Sequence, residues 1–464
     1  MAERKDLLKA HSFVTQRLVS ALVDRDPDAP KSPLGRITTA TFVSVLIGVV
    51  ALGGFLLLGK LRPGLATDWR NPNVVLQDMD SGSLFVYDEK QQALYPMADI
   101  TSARLRAGAG DTSTTPATVQ VRSSLIKDVR RLSRLGIPSA PYELPDPSDI
   151  DPYPLRACMT AENVRSERFL TVQIGGQQPA GKDSSLAVQT PDGTQYVIMR
   201  GTSHQLSTPG GGSSPLIEGL PVARVSDAWL AALPVGSPIE PLAIEGRGSM
   251  PSKGLKNLRV GDLARVGDEN SPRVRYYVQL DEGLARITYL DMKLAVSTLN
   301  VGEPVSISEA DYASVATLTD VGTPGLPYER PVGPSLQVSM QQVSVCATYT
   351  RSDPDHPRLD VDLPTPALPV NATTPRGNKA DVVEMPNQGG ALLMNRALKG
   401  TETASFLVVN QKIYGIPDPA SRRALGYTSG NTTLMRVPGG VMALFEDGLP
   451  AGVSLSATQI RVTS

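Results

Sequence analysis

Hydrophobic and polar positions divide the chain into two unequal parts. Near the N-terminus the apolar residues keep a helical period. Leu7, Ala10, Val14, Leu18 and Leu22 fall on one face of residues 6–24, and Lys9, Gln16 and Arg17 face away. This spacing predicts an amphipathic helix, either lying on a membrane surface or docking a partner. A polar, proline-rich break, DRDPDAPKSPLG, covers residues 24–35. From Ile37 to Gly59 the next 23 residues carry no charge. At about 1.5 Å rise per residue they span about 34 Å as a helix, enough for a hydrocarbon core of about 30 Å. The run is too long for a secretory signal, begins too late, and ends without an A-x-A cleavage site. It predicts a retained transmembrane helix over 37–59. Ala40, Ser44 and Gly48 recur one turn apart and form a small-residue seam on which a second spanning helix could pack.

Beyond residue 60 the pattern shortens to alternating runs. LFVYD (84–88), QYVIM (195–199), YYVQL (276–280) and SFLVV (405–409) each place an aromatic before an aliphatic residue. Phe85, Tyr196, Tyr277 and Phe406 align, and each run precedes a turn and a second apolar stretch, as in a hairpin. Their unequal spacing argues against a solenoid or propeller and for four related modules with inserted sequence. A Leu-Pro-x-Gly landmark recurs at Leu233–Gly236 and Leu449–Gly452. Within 123–145 the spacing predicts an amphipathic helix ending at Gly136 and Pro138. Leu125, Val129, Leu132 and Leu135 lie on one side, and Lys127, Arg130, Arg131 and Arg134 on the other.

Composition supports many turns and short strands, with 41 glycines and 39 prolines. Formal net charge is −1. Residues 1–36 hold seven Lys and Arg against five acids, leaving −3 for the remainder. Neither part has the basic excess of a nucleic-acid binder. Flanking charges tie, with Arg25, Lys31 and Arg36 against Lys60, Arg62 and Arg70, while the seven-to-five count over residues 1–36 leans towards a cytoplasmic N-terminus. Both cysteines, Cys158 and Cys346, lie on the long C-terminal side. They suit one disulfide in an oxidising compartment or two unrelated buried thiols. The expected orientation places the N-terminus in the cytoplasm and residues 60–464 outside it.

Candidate chemistry is sparse. Gly176, Gly181 and Lys182 match G-x-x-x-x-G-K, but Asp183 stands where a phosphate loop needs Ser or Thr, and a strand pattern follows instead of a helix. RFLTVQI and SLAVQT on either side suggest a hairpin with a long loop. Of the three histidines, His11 lies on the cytoplasmic side, which rules out a three-histidine metal site with His204 and His356. The acidic stretches DPSDID (146–151) and DPDHPRLDVD (353–362) lack calcium-loop spacing and read as exposed turns. No catalytic residues and no metal site are expected.

The stretches GSLFVYDEKQQALYPMADITSARL (82–105), GIPSAPYELP (136–145) and PNQGGALLM (386–394) resemble the EccB family. EccB is a membrane component of the type VII (ESX) secretion machinery of mycobacteria and related actinobacteria. The resemblance covers nearly the whole chain, including the order of helix, span, repeats and cysteines. It implies a single-pass membrane protein with a large β-rich α+β external region of four repeats around a central domain. The expected segments are 1–36, 37–59 and a linker 60–78. The repeats are expected at 79–118, 181–245, 246–330 and 386–464, and the central domain at 119–180 with 331–385. The resemblance also implies a Cys158–Cys346 disulfide. The implied partners are the EccC motor ATPase, EccD, EccE, the mycosin protease and other EccB copies. The expected function is a scaffold linking an inner-membrane core to a periplasmic assembly. Some members carry an ATPase label, so the alternative is an ATP-hydrolysing enzyme of the same system, with ATP as its cofactor. A wall-binding anchor ranks last, because aromatics are only 5% of the chain.

Overall fold

The computed structural model describes residues 4–24, 34–61 and 69–463, apart from short gaps at 111–112, 178–183, 208–213, 218–219, 335, 337, 370–371, 373 and 399–403. It falls into two units. One comprises residues up to Trp69 with Gln77–Ser81 and Val119–Asp128; the other holds Arg70–Leu76, Gly82–Thr118 and Val129–Ser464.

In the first unit, helix α1 covers Arg4–Asp24 and helix α2 covers Leu34–Leu61. The apolar stripe of α1 is exposed at Leu7, Val14, Leu18 and Leu22. The expected span lies within α2, whose side chains are described for 39–54. Among the described residues no helix is long and apolar enough to cross a membrane. Met79 N–H donates to Val121 O, and Ser123 Oγ donates to Asp78 Oδ1.

The second unit repeats one plan, complete in modules 3 and 4 and partial in modules 1 and 2. Three antiparallel strands are followed by a helix, a fourth strand parallel to the first, a second helix, and a fifth strand parallel to the third. Module 3 shows it in full. Its strands Leu263–Val266, Arg275–Leu280 and Gly283–Ile287 form the antiparallel part, with Val305–Ile307 and Thr317–Leu318 at the two edges. Module 4 repeats this order with Ala391–Asn395, Ser405–Val409, Lys412–Ile416, Leu434–Val437 and Glu446–Asp447. Module 2 has Leu186–Gln189, Gln195–Met199, Thr202–Gln205 and Val222–Arg224. Single bridges at Val235 and Ile239 replace its fifth strand. In module 1 the hairpin Leu84–Asp88 and Ala93–Met97 pairs onward with Leu135–Gly136. The C-terminal strand Arg461–Val462 then adds antiparallel to Leu135–Gly136.

The aligned aromatics are equivalent in register. Phe85, Tyr196, Tyr277 and Phe406 each sit three residues before the last paired residue of the strand, namely Asp88, Met199, Leu280 and Val409. Two of the hairpins close through residues with positive φ at both turn positions, Arg200–Gly201 and Asn410–Gln411. Two-residue turns of that hand match the twist of the strands they join.

Three expectations are corrected. The second Leu-Pro-x-Gly is not the counterpart of the first. Gly236 N–H donates to Ser203 O and Gly448 N–H to Ile413 O, each acceptor being the second residue of a third strand. Gly236 therefore corresponds to Gly448, and Leu449–Gly452 falls in a longer loop. A Cβ on Gly236 would lie 2.3 Å from the His204 ring, and one on Gly448 2.2 Å from the Tyr414 ring, so both glycines admit a ring beneath the sheet edge. The helix expected within 123–145 shrinks to the turn Ser123–Ile126. Residues 130–135 instead run beside module 1, where Leu94 N–H donates to Arg130 O and Leu132 N–H to Leu94 O. Finally, Leu170–Ile174 and Leu186–Gln189 do not form a hairpin, because they belong to different sheets.

The central domain is a five-stranded sheet. Its order is Arg358–Val361, Val345–Tyr349, Leu155–Met159, Leu170–Ile174 and Val382–Glu384. Two hairpins thus meet through their first strands. The modules flank them in matching pairs. Helix α3 (Ile100–Gly108) of module 1 packs on Pro419–Ala424 of module 4, where a Cβ on Gly108 would lie 2.5 Å from Ala424 Cβ. Leu290 and Leu294, from helix Tyr289–Thr298 of module 3, join one apolar cluster with Val197, Leu206, Leu216 and Ile217 of module 2. The second helices of modules 2 and 4, Asp227–Ala231 and Gly439–Ala443, contact each other at Ala231 and Gly440. The second unit therefore consists of two similar halves, modules 2 with 3 and modules 4 with 1, joined at the central sheet. One core of buried residues runs through that junction, from Leu155 and Val345 to Trp229 and Phe445.

Candidate functional site

At the junction, Cys158 and Cys346 stand directly opposite each other on adjacent antiparallel strands. Their Cα atoms are 4.0 Å apart, as at the closer kind of cross-strand pair, and a disulfide joins them. Both are buried. Two side chains pin module 2 to the same strands. Trp229 Nε1 donates to Ala157 O at 2.8 Å, and Tyr349 OH donates to Ala232 O at 2.6 Å. Burial pushes the Tyr349 hydroxyl well above its ordinary range, so it stays a proton donor.

Beside this junction lies a half-open trough of about 1030 Å³. Its walls are the hairpin tip of module 2, the 320–329 segment after module 3, and the turn before Arg358. Arg200 and Glu329 form an ion pair. Tyr328 donates its hydroxyl to Asp320, which with burial holds that hydroxyl above its usual range. The Arg286 guanidinium lies 3.8 Å over the Tyr328 ring. Asp353 accepts from His356 N–H at 3.0 Å, with the His356 ring Nδ1 3.4 Å away. Arg358 forms two bonds of 2.7 and 3.1 Å to buried Asp360. A Cβ on Gly201 would lie 2.2 Å from Pro357 O, so glycine is needed where the module 2 tip meets the central turn.

The residues singled out from sequence are scattered. Gly176 is described, with φ +87°, but Gly181 and Lys182 lie outside the described residues. The chain after that gap enters the strand Leu186–Gln189, where a phosphate loop would need a helix N-terminus. On α2, Ser44 Oγ donates to Ala40 O at 2.6 Å, and among the described residues nothing lies within 4 Å of a Cβ placed on Gly48. Among the described residues no three His, Cys, Asp or Glu side chains converge on a metal position. Sequence reading missed Trp229, whose burial depends on contacts between segments far apart in the chain. It also missed the trough, which is assembled from three separate segments.

His204 is buried, and its Nδ1 lies 2.9 Å from Ser237 O while Nε2 has no hydrogen-bond partner among the described residues. Burial holds its pKa below the ordinary 6.5, against smaller opposing effects of Ser237 and Asp291. The folded chain thus favours neutral imidazole. The stability this gives is full above about pH 6.5 and is lost as pH falls below it. Thermal unfolding at pH 7.5 and pH 5.5 checks this. His204→Phe, which cannot titrate, is expected to lose less stability than wild type over that interval.

Similarity to known proteins extends along the whole chain. The family model described as "Type VII secretion system ESX-1, transport TM domain B" matches residues 2–463. "ESX-1 secretion system ATPase EccB1" of Mycolicibacterium smegmatis (strain MKD8) is 26% identical over 287 residues. That match covers 59% of this chain and 57% of the relative, so it spans just over half of the relative's length. "ESX-1 secretion system ATPase EccB1" of Mycobacterium tuberculosis (strain ATCC 25618 / H37Rv) is 22% identical over 454 residues, covering 94% of this chain and 90% of the relative. Among solved structures, an EccB3 dimer from the ESX-3 core complex aligns with a TM-score of 0.58 at 20% identity, over 83% of this chain and 99% of that one. An intact ESX-5 inner membrane complex contains a chain that aligns with a TM-score of 0.54 at 20% identity, over 99% of this chain and 95% of that one. At such identities the structural matches speak to the fold.

Proposed function

Because this chain belongs to the EccB family of type VII secretion, we propose that it is a scaffold of an ESX-type secretion complex, linking an inner-membrane core to an assembly outside the cytoplasm. The family match from residue 2 to residue 463 carries this reading. The architecture supports it. Modules interlock through helix pairs and a shared core, a design suited to holding surfaces at fixed spacing. Residues 37–59 cross the membrane, with the N-terminus in the cytoplasm and the modules outside. The apolar run of 23 residues and the family's description as a transport TM domain favour the crossing, and the Cys158–Cys346 disulfide favours modules outside the cytoplasm. Its partners are other copies of this chain, the EccC motor ATPase, EccD, EccE and the mycosin protease.

Inside a bilayer, helices gain no hydrophobic energy from meeting and associate through close packing. Ala40, Ser44 and Gly48 would supply that closeness. Gly48→Leu is expected to insert normally but to weaken the complex in native gels; wild-type assembly by this variant would show that the seam has no role in packing.

A second reading, an ATP-hydrolysing enzyme, has the names of the relatives in its favour. Asp183 and the strand after it argue against Lys182 as a phosphate ligand. Deleting the chain from its host and scoring export of type VII substrates tests the scaffold reading. Export should stop on deletion and return with wild type and equally with Lys182→Ala. Export that survives deletion contradicts any role in secretion, and export lost with Lys182→Ala favours the enzyme.

A further inference from the structure

The trough between modules 2 and 3 and the central turn is lined by acidic side chains, and the Arg286 guanidinium reaches it over the ring of Tyr328. Two of its arginines are committed, Arg200 to Glu329 and Arg358 to buried Asp360. Asp320 and Asp353 have other partners, the Tyr328 hydroxyl and His356. Among the described residues neither forms an ion pair with a lysine or arginine. Both are exposed, and both line a space of about 1030 Å³. That volume is at the upper end of the range for ligand sites, roughly 300–1,000 Å³, and such sites gather where domains meet. The trough is half-open, so a compact small molecule would leave much of its surface in water. An extended chain would bury one side along its length.

We propose that this trough binds an extended peptide segment of a protein partner, with basic side chains of that segment paired to Asp320 and Asp353. The hydroxyls of Thr202 and Ser352 line the same space and can bond the peptide backbone. The inference rests on the trough's shape and charge, not on family membership, so it can fail while the scaffold reading stands.

Calorimetric titration of the full chain in detergent tests it. The probes are capped tri-lysine, tri-arginine and tri-glutamate peptides at low salt. The basic peptides should bind saturably with one site per chain, and the acidic one should not. Asp320→Asn and Asp353→Asn should each weaken binding about tenfold, the scale of one lost charge-assisted hydrogen bond. Ser352→Trp, which adds bulk beside Asp353 without changing the trough's charge, should weaken binding. Glu245→Gln, the same charge change on an exposed segment outside the trough, should leave it unchanged. Absence of saturable binding overturns the proposal. So does binding undiminished by Ser352→Trp, Asp320→Asn and Asp353→Asn alike, or an equal loss in Glu245→Gln. Unfolding temperatures of each variant separate a lost site from a lost fold.

Discussion

Replacing Cys158 and Cys346 together by alanine is expected to lower the stability of the module-bearing region by up to about 5 kcal/mol. The bond closes a loop across a sequence separation of 188. In the chain-entropy account, a cross-link over a loop that long removes about 5 kcal/mol of conformational freedom from the unfolded chain. The bond also lies where the two central hairpins meet. Its loss therefore loosens the junction of the two halves, not the periphery of one module. Unfolding of the full chain in detergent, with and without reductant, measures the effect. Wild type under reductant should approach the double variant, and equal stability of all three would show that the bond contributes nothing.

The second large effect is expected at Gly440. A Cβ there would lie 1.9 Å from Ala231 O and 2.3 Å from Ala231 C. Both atoms are backbone, so no side chain can swing aside. Gly440→Ala must push the second helix of module 4 away from that of module 2. Trp229, Val441, Leu444 and Phe445 share the core at this contact and would lose packing. Overpacking of this kind typically costs about 1–3 kcal/mol. Because the clash falls on backbone, the upper end of that range is expected. Gly302→Ala is the control, since a methyl group there would meet nothing within 4 Å. A melting temperature of Gly440→Ala equal to that of Gly302→Ala would refute the tight inter-module contact.

The repeats were legible because a hairpin is local. Phe85, Tyr196, Tyr277 and Phe406 each sit within a few residues of the turn that fixes their register, so spacing in sequence survives in the fold. What depends on distant partners was not legible. Val129, Leu132 and Leu135 have helical spacing, yet the backbone there pairs with Leu94, more than thirty residues away, and its basic face is partly used up. Arg131 stacks 4.9 Å from the Phe85 ring. The Leu-Pro-x-Gly landmark misled for a related reason. Chemistry repeats at 233 and 449, but hydrogen bonding to Ser203 and Ile413 sets the correspondence and shifts it by four residues. The central sheet draws strands from two segments nearly two hundred residues apart, which no local pattern announces. The trough is similar, with walls from three segments whose residues share no motif.

The central claim is that this chain works as part of an assembly. Native mass measurement of the complex extracted from its host membrane tests it most directly. The chain, 49.3 kDa by itself, is expected in a particle many times that mass, with several copies of itself and the motor ATPase present. Recovery of the chain at its own mass, without partners, under conditions that keep other membrane complexes intact would contradict it.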